Sequence, residues 1–593
     1  MVRRFLMGAT AAALIAAFFL SLPQPDAPQP QYWPDQPGNS FVLRGVRVFD
    51  GERLHERRDV LVIDGIVAVF SAKAAAPAGT PEFAADGHTL LPAFIDAHTH
   101  NFGSSREEAL RFGVGVQIDM FTSVELLPAA RRQRAGLDRV AEADMWSAGT
   151  LVTAPGGHGS QYGLAIPTLA SAEQAAAFVA DRAAEGSDFI KLVVEGGHGW
   201  GGSLPTLDQA AVAAVAEAAR AHGLQTVAHA GAGEEARRAL EGGADALAHV
   251  FGDVVAGEDL VALIRERAAF VVPTLAVLES VAGRANGLVE DPRVAPWLAP
   301  TQLDTLGRRF PGPARPQVLA NGLANTGLLY QAGVPILAGS DAPNPGTAHG
   351  AGLHRELELL LEAGLPASAV LAAATSLPAR HFGLADRGRI APGMRADLVL
   401  VAGDPLADIT ATRQIAAVWK NGFQVPRHRQ DAAEPAPALP GDRTALGAFE
   451  RGPDGWLATT DEIQGGRSAV TVEGGGGLLR VAAEVRSGAP WPWAGAMRML
   501  ADQPWEPVDL SGFEALVLRL RGDGPLQVLF FSGANPQAVP ASVAVSPAQT
   551  WQETTIALAE APGLDRSRVR AVGVVAGPAP GTASFELSAA VLR

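Results

Sequence analysis

Residues 91–100 read LPAFIDAHTH, an apolar run closed by His98 and His100. Side chains two apart on a strand share one face, so both imidazoles project together from the end of a buried strand. Seven more short apolar runs follow: GVGVQIDM (113–120), GTLVTAPGGH (149–158), DFIKLVVEGG (188–197), LQTVAHA (224–230), ADALAHVF (244–251), AAFVVPTL (268–275) and VPILAGSDA (334–342). Between them lie segments such as LDQAAVAAVAEAARAHG (207–223) and EEARRALEGG (234–243), apolar every three to four residues and ending in glycine, the pattern of amphipathic helices. This alternation predicts an α/β fold, a (β/α)8 TIM barrel over residues 91–383.

Working outward, FVLRGVRVFD (41–50) and DVLVIDGIVAVF (59–70) read as strands, the second turning at Asp64-Gly65, a hairpin signal. RADLVLVAG (395–403) and QIAAVWKNGFQV (414–425) are strand-like again. A small composite β-sandwich is therefore expected from both flanks of the barrel, 40–90 and 384–428. A linker rich in Ala, Pro and charge (429–442) leads to residues 443–593, which carry short apolar strands, many glycines and five tryptophans. These predict a separate all-β domain. At the other end, Arg3 and Arg4 precede an apolar run from Met7 to Leu22 and a Pro- and Gln-rich stretch to Asn39. Residues 1–39 are thus expected to be an export signal or a retained N-terminal anchor with its linker, placing the protein in the periplasm or outside the cell.

A chain of 593 residues with a formal charge of −15 and no basic run interleaved with aromatics is not expected to bind nucleic acid. There is no cysteine, which excludes disulfides, thiolate metal ligands and a cysteine nucleophile. No G-x-S-x-G elbow is present either. The chemistry falls to His, Asp, Glu and Lys. Besides His98 and His100, the apolar runs carry Lys191, His229, His249 and Asp341. A single histidine in a strand is ordinary core. Four histidines, a lysine and an aspartate, each at the end of a buried strand where an unpaired charge is costly, point to one site at the mouth of the barrel.

The order His-x-His, Lys, His, His, Asp resembles the amidohydrolase superfamily, and the surrounding text resembles its imidazolonepropionase-like and Xaa-Pro dipeptidase branch. The likeness extends through APGGHG (154–159), DFIKLVVEGG, VPTL (272–275), GSDAP (339–343) and the tail AATSLPARHFGLADRGRIAPGMRADLVLVAGDPLADI (373–409). The resemblance implies two divalent metal ions, normally zinc. His98 and His100 would hold the first and His229 and His249 the second. Lys191, carboxylated by carbon dioxide, would bridge them, and Asp341 would complete the set. It implies further that a metal-bridged hydroxide attacks a carbonyl, with Asp341 as general acid and base. The expected activity is hydrolysis of C–N bonds, as a dipeptidase or N-acyl amino acid hydrolase. His158 stands where the resembling family places a substrate-contacting histidine. The alternatives left open are a cyclic amide or lactone hydrolase on the same site, and a non-catalytic envelope binding protein.

Other residues read less sharply. For Lys191 the competing reading is a buried ion pair with Asp341. His198 and Trp200 lie in a Gly-rich loop and read as an ordinary turn, and nothing in the sequence assigns His349 or His354. His222, just before Gly223, reads as a helix end. Arg284, Arg293, Arg308, Arg309 and Arg315 occupy a segment with no legible motif. In the last domain, FERGPDGWLATTDEIQGGRSAVTV (449–472) and VDLSGFEALVLRLRGDG (508–524) resemble the complex I intermediate-associated protein family, a galactose-binding-like jelly roll. That resemblance implies a glycan or protein ligand, with Trp491, Trp493 and Trp505 either a stacking platform or packing.

Overall fold

Asp64 and Gly65 both adopt left-handed backbone, with φ of 50° and 79°, the combination that lets a two-residue turn follow the twist of a hairpin. They join strand Leu54–Ile63 to Ile66–Ser71, as the Asp-Gly pair predicted. This hairpin is the edge of an eight-stranded sheet that also contains Phe41–Phe49, Glu82–Ala84, His88–Pro92, Leu398–Ala402, Ile415–Lys420 and Phe423–Gln424. Leu398–Ala402 pairs antiparallel with His88–Pro92, so both flanks of the chain share one sheet.

The structure is a computed structural model that describes residues 33–593 apart from 37, 161–165, 198–202, 311, 428–435, 440–443, 462–466, 488–491, 504 and 533–539. The N-terminal charged and apolar run, His198, Trp200 and Trp491 lie outside the described residues. Gln36–Arg593 form one compact unit. Among the described residues no helix is long and apolar enough to cross a membrane.

The segment between the flanks is mixed α/β. Its strands are β1 (Phe94–Thr99), β2 (Val114–Asp119), β3 (Asp144–Ser147), β4 (Ile190–Val193), β5 (Thr226–His229), β6 (Ala246–Leu247) and β7 (Phe270–Val271). β1–β2–β3 and β4–β5–β6–β7 pair in parallel. Single parallel bridges connect Val152 with Leu192, Val271 with Ile336, and Ala342 with Thr99. Ala97 N–H donates to Ala338 O and Leu337 N–H to Val271 O, each at 2.9 Å. Every residue of β1, β2 and β4 is buried, as expected of parallel strands covered on both faces. The helices turn their apolar stripe inward. In Gln209–Ala221, Val212, Val215, Ala216 and Ala219 are buried, and the Asp208 carboxylate accepts the Ala211 N–H at its start.

One buried ionic network joins this segment to the flanking sheet. Lys420, with no exposed surface, donates to Asp144 on β3 and to Asp397, both at 2.6 Å, and Arg387 donates to Asp144 at 2.7 Å. Removing one partner from such a group strands the others without water. Lys420→Met is therefore expected to cost about 3–5 kcal/mol in urea denaturation. A change below about 1 kcal/mol would show that the carboxylates find other partners.

The C-terminal residues are sheet-rich. Leu478–Val485, Gly581–Leu592 and Ala515–Gly522 belong to a six-stranded sheet, and Ala494–Met499, Val569–Ala576 and Leu526–Ser532 to a five-stranded one. Leu479, Val481 and Leu518 of the first share a core with Ala496, Val528 and Val574 of the second. Alternation explains it: along Leu478–Val485 every second side chain is buried and the ones between are not. Trp493 is buried in an apolar cluster against which Trp505 packs, and Trp505 meets Phe531 edge-on at 5.7 Å. These two tryptophans pack within the protein.

Candidate metal centre

Most of the residues that the sequence singles out lie close together. His98 Nε2 and His100 Nε2 lie 3.3 and 3.1 Å from Asp341 Oδ1, and His249 Nδ1 lies 3.6 Å from Asp341 Oδ2. His98 stacks on His249 at 4.7 Å, and His158 stacks on His229 at 4.8 Å. His249 Nε2 is 3.1 Å from His229 Nδ1. Lys191 projects from β4 with its Nζ 3.5 Å from Ala248 O, its hydrogen bond among the described residues. No ion pair joins it to Asp341 within 4.0 Å among the described residues, unlike the competing reading of that lysine.

Backbone geometry brings these groups close. Gly339 stands where a Cβ would come within 2.5 Å of Val272 and 2.8 Å of the His98 Cβ, so only glycine lets the Asp341 segment approach β1. The Asp96 carboxylate, fully buried, accepts the Ser340 N–H at 2.9 Å and the Ser340 hydroxyl at 2.6 Å, tying that segment to β1. Burial pushes the Asp96 carboxyl up to about 7. Asp341 itself has left-handed backbone, φ 52°, with its N–H on His98 O at 2.8 Å. Thr274, also at φ 52°, is β-branched and strained there. That conformation holds its Oγ1 2.6 Å from His249 Nδ1.

Electrostatics suit the site to a cation. Burial lowers His98 and His249 well below the ordinary histidine value, and His158 and His229 to about 3. Their rings are neutral at pH 7, with a lone pair to offer. Burial also lowers the Lys191 amine to about 7. His98, His249 and Asp341 place one ligand atom each within 4.8 Å of one another. Both ring nitrogens of His98 and Asp341 Oδ1 are buried without a hydrogen-bond partner. Buried polar atoms left unpaired are costly, and imidazole nitrogens with carboxylate oxygens are the donors that a divalent ion such as zinc takes. The residues fit a metal.

The remaining candidates sort by contact. His349 is buried with its Nδ1 2.9 Å from Gln117 Nε2, while His354 bonds Phe112 O and Thr412 in the core. His222 caps the exposed end of its helix. Arg284 pairs with Glu279 and Glu362, Arg293 with Asp291, and Arg308 with Asp304, which leaves their charge already matched. Sequence reasoning did not single out Glu195, Thr274, Asp96 or Gln117. Asp96 carried a signal, an acid within an otherwise apolar strand, and Glu195 another, an acid just past the end of one; Thr274 carried none.

Behind the site, Glu356 is wholly buried and accepts the Ala276 N–H at 2.9 Å, at the start of the helix after Thr274. Burial raises its carboxyl to about 8. The folded state then holds a proton that the unfolded chain releases near its ordinary value of 4.5. The resulting stability is full below that value and lost as pH rises through about 8. Glu356→Gln is expected to match the parent Tm at pH 5 and exceed it at pH 9. Parallel curves across that range would contradict the assignment.

With that geometry established, comparison with known proteins is informative. The model of the amidohydrolase family matches residues 89–425. A dihydroorotase of Mycobacterium tuberculosis (strain ATCC 25618 / H37Rv) is 44% identical over 71 residues, 12% of this chain. The chain spans only 16% of that relative's length. Among solved structures, a Xaa-Pro dipeptidase with bound methionine superposes with a TM-score of 0.53 at 21% identity, covering 65% of this chain and 99% of that one. A prolidase complexed with N-methylphosphonate-L-proline superposes with a TM-score of 0.51 at 20% identity, covering 66% and 100%. At these identities the likeness concerns the fold.

Proposed function

The chain belongs to the amidohydrolase family, and from that premise we propose that it is a binuclear metal-dependent hydrolase of C–N bonds acting on dipeptides or N-acyl amino acids. The observation that carries this reading is the meeting of His98, His249 and Asp341 ligand atoms within 4.8 Å, with buried polar atoms unpaired. The parallel pairings from β1 to β7, with the bridges through Ile336 and Ala342, support a closed eight-stranded barrel. We assign the barrel to 91–383, the composite β domain, expected as a sandwich and seen as one eight-stranded sheet, to 40–90 and 384–428, and a jelly-roll accessory domain to 443–593 beyond the linker 429–442.

His98 and His100 would hold one metal, zinc by the chemistry of the donors, and His229 and His249 the other. Lys191 would join both as a carbamate. Its burial favours the free amine that takes up carbon dioxide, and an ammonium would instead repel a cation. Metal bound there would supply Lewis acidity toward water and toward the scissile carbonyl. Asp341 removes the proton from the attacking water and returns it to the leaving nitrogen, so the amide bond breaks with no net proton change. Its position against His98, His100 and His249 fixes that carboxylate at the reacting centre. His158, neutral and stacked on His229, donates a hydrogen bond to the substrate carbonyl or carboxylate. The N-terminal residues 1–39 are assigned to an export signal or a retained membrane anchor with its linker, with the enzyme periplasmic or extracellular.

The test is a hydrolysis screen of zinc-loaded protein against dipeptides, N-acyl amino acids and small lactones, with Asp341→Asn as control. Release of amino acid that vanishes in the control supports the reading. Turnover of lactones alone replaces it with the cyclic-substrate alternative, and silence from metal-loaded protein favours the binding protein.

A further inference from the structure

Glu195 is 1% exposed and lies two residues past the end of the Lys191 strand, Ile190–Val193. Its Oε1 accepts the Gly197 N–H at 2.6 Å and its Oε2 lies 3.3 Å from His229 Nε2. The turn that carries it is itself fixed. Glu235, 1% exposed, accepts the Gly196 N–H at 2.7 Å and the Ala232 N–H at 3.0 Å, and Leu204 N–H donates to Gly196 O at 2.9 Å. Glu195 is thus held from two sides, with a single direction for its second oxygen.

A carboxylate accepts and does not donate, so its contact puts the His229 ring proton on Nε2 and leaves Nδ1 as a lone pair. That Nδ1 lies 3.1 Å from His249 Nε2. His249 is held from its far side, where Thr274 Oγ1, a group that can donate or accept, lies 2.6 Å from Nδ1. The chain Thr274–His249–His229–Glu195 therefore turns two imidazole nitrogens toward each other. Two nitrogens on one tetrahedral zinc, each at about 2.0–2.1 Å, stand roughly 3.3 Å apart, close to what the structure shows.

We propose that Glu195 is a positioning residue for the metal position formed by His229 and His249: its carboxylate fixes the His229 ring with Nε2 protonated and Nδ1 free to bind metal. The assignment rests on the reading of the site as a metal centre. A metal-binding histidine commonly donates its other N–H to a carboxylate, and loss of that partner weakens metal binding about 10–100-fold. Gln at this position has one oxygen for two N–H groups, those of Gly197 and His229. Satisfying the first turns its NH2 on His229 and selects the wrong tautomer.

The experiment is zinc titration of full-length protein against a competing chromophoric chelator, comparing parent with Glu195→Gln, alongside Tm of the metal-free proteins. The expected result is one zinc step loosened about 10–100-fold, the other unchanged, and the metal-free Tm the same as in the parent. Glu195→Ser gives the same loosening should the Gln variant not fold. Unchanged affinities would overturn the proposal. So would loss of one zinc position even at saturating metal, which would make Glu195 a ligand, or a fall in Tm without a change in affinity. Parent protein that takes up no zinc would defeat the metal-centre reading itself, a result separate from any difference between parent and variant.

Discussion

Asp341→Asn is expected to lower kcat for the hydrolysed amide about 10²–10⁴-fold, the contribution typical of a positioned acid–base group. The carboxamide keeps the size of the side chain and one oxygen near His98 and His100, where Asp341 Oδ1 lies at 3.3 and 3.1 Å. It cannot take the proton from water or carry it to the leaving nitrogen. KM is expected to change little, because the lost function belongs to the transition state rather than to binding. Side-by-side kinetics and zinc analysis of the two proteins check this. A variant retaining zinc and a kcat within about threefold of the parent would remove Asp341 from the proton path.

Lys191→Met is expected to abolish turnover and at least one zinc position while raising the stability of the metal-free fold. Lys191 is 3% exposed among neutral histidines, and burial holds its amine to about 7. Between that value and the ordinary lysine range the unfolded chain carries the proton more readily than the folded one. Burial of the amine therefore costs stability that is recovered as pH rises through that interval. Methionine fills much of the same volume without the cost, so the metal-free variant is expected to melt higher at pH 7, with the gap closing toward pH 10. On the proposed reading, a residue so unfavourable for the fold alone is explained by the carbamate that would join both metals. Zinc uptake by the parent is expected to rise with added bicarbonate, and uptake by the variant to ignore it. Full activity in Lys191→Met would refute the carbamate.

The parts legible in the sequence are those governed by local periodicity or costly burial. Period-two and period-3.6 patterns located most of the parallel strands and the helices between them, but not Asp144–Ser147, while GTLVTAPGGH and VPILAGSDA contribute only single bridges; Asp64-Gly65 located the hairpin. His98, His100, His249 and Asp341 were legible because polar groups closing apolar strands demand a reason. The meeting of both flanks in one eight-stranded sheet followed from their strand-like text. What was not legible depends on contacts between residues far apart in sequence. Lys420 reads as an ordinary cation after an apolar run, yet it is wholly buried between Asp144 and Asp397. Thr274 reads only as part of the apolar run AAFVVPTL, and its left-handed backbone brings its hydroxyl to His249. The tryptophans of the last domain permitted a platform or packing, and the burial of Trp493 settles on packing for that residue. Substrate preference belongs to the loops, where Arg284, Arg293 and Arg308 are each matched by a carboxylate of the chain.

The central claim is that hydrolysis here depends on metal held by His98, His100, Lys191, His229, His249 and Asp341. Its most direct measurement is amide hydrolysis by chelator-stripped protein during stepwise return of zinc. The account predicts no turnover without metal and recovery that saturates near two zinc ions per chain. Undiminished hydrolysis by the stripped protein, or a fully loaded chain that gains no activity, would contradict it.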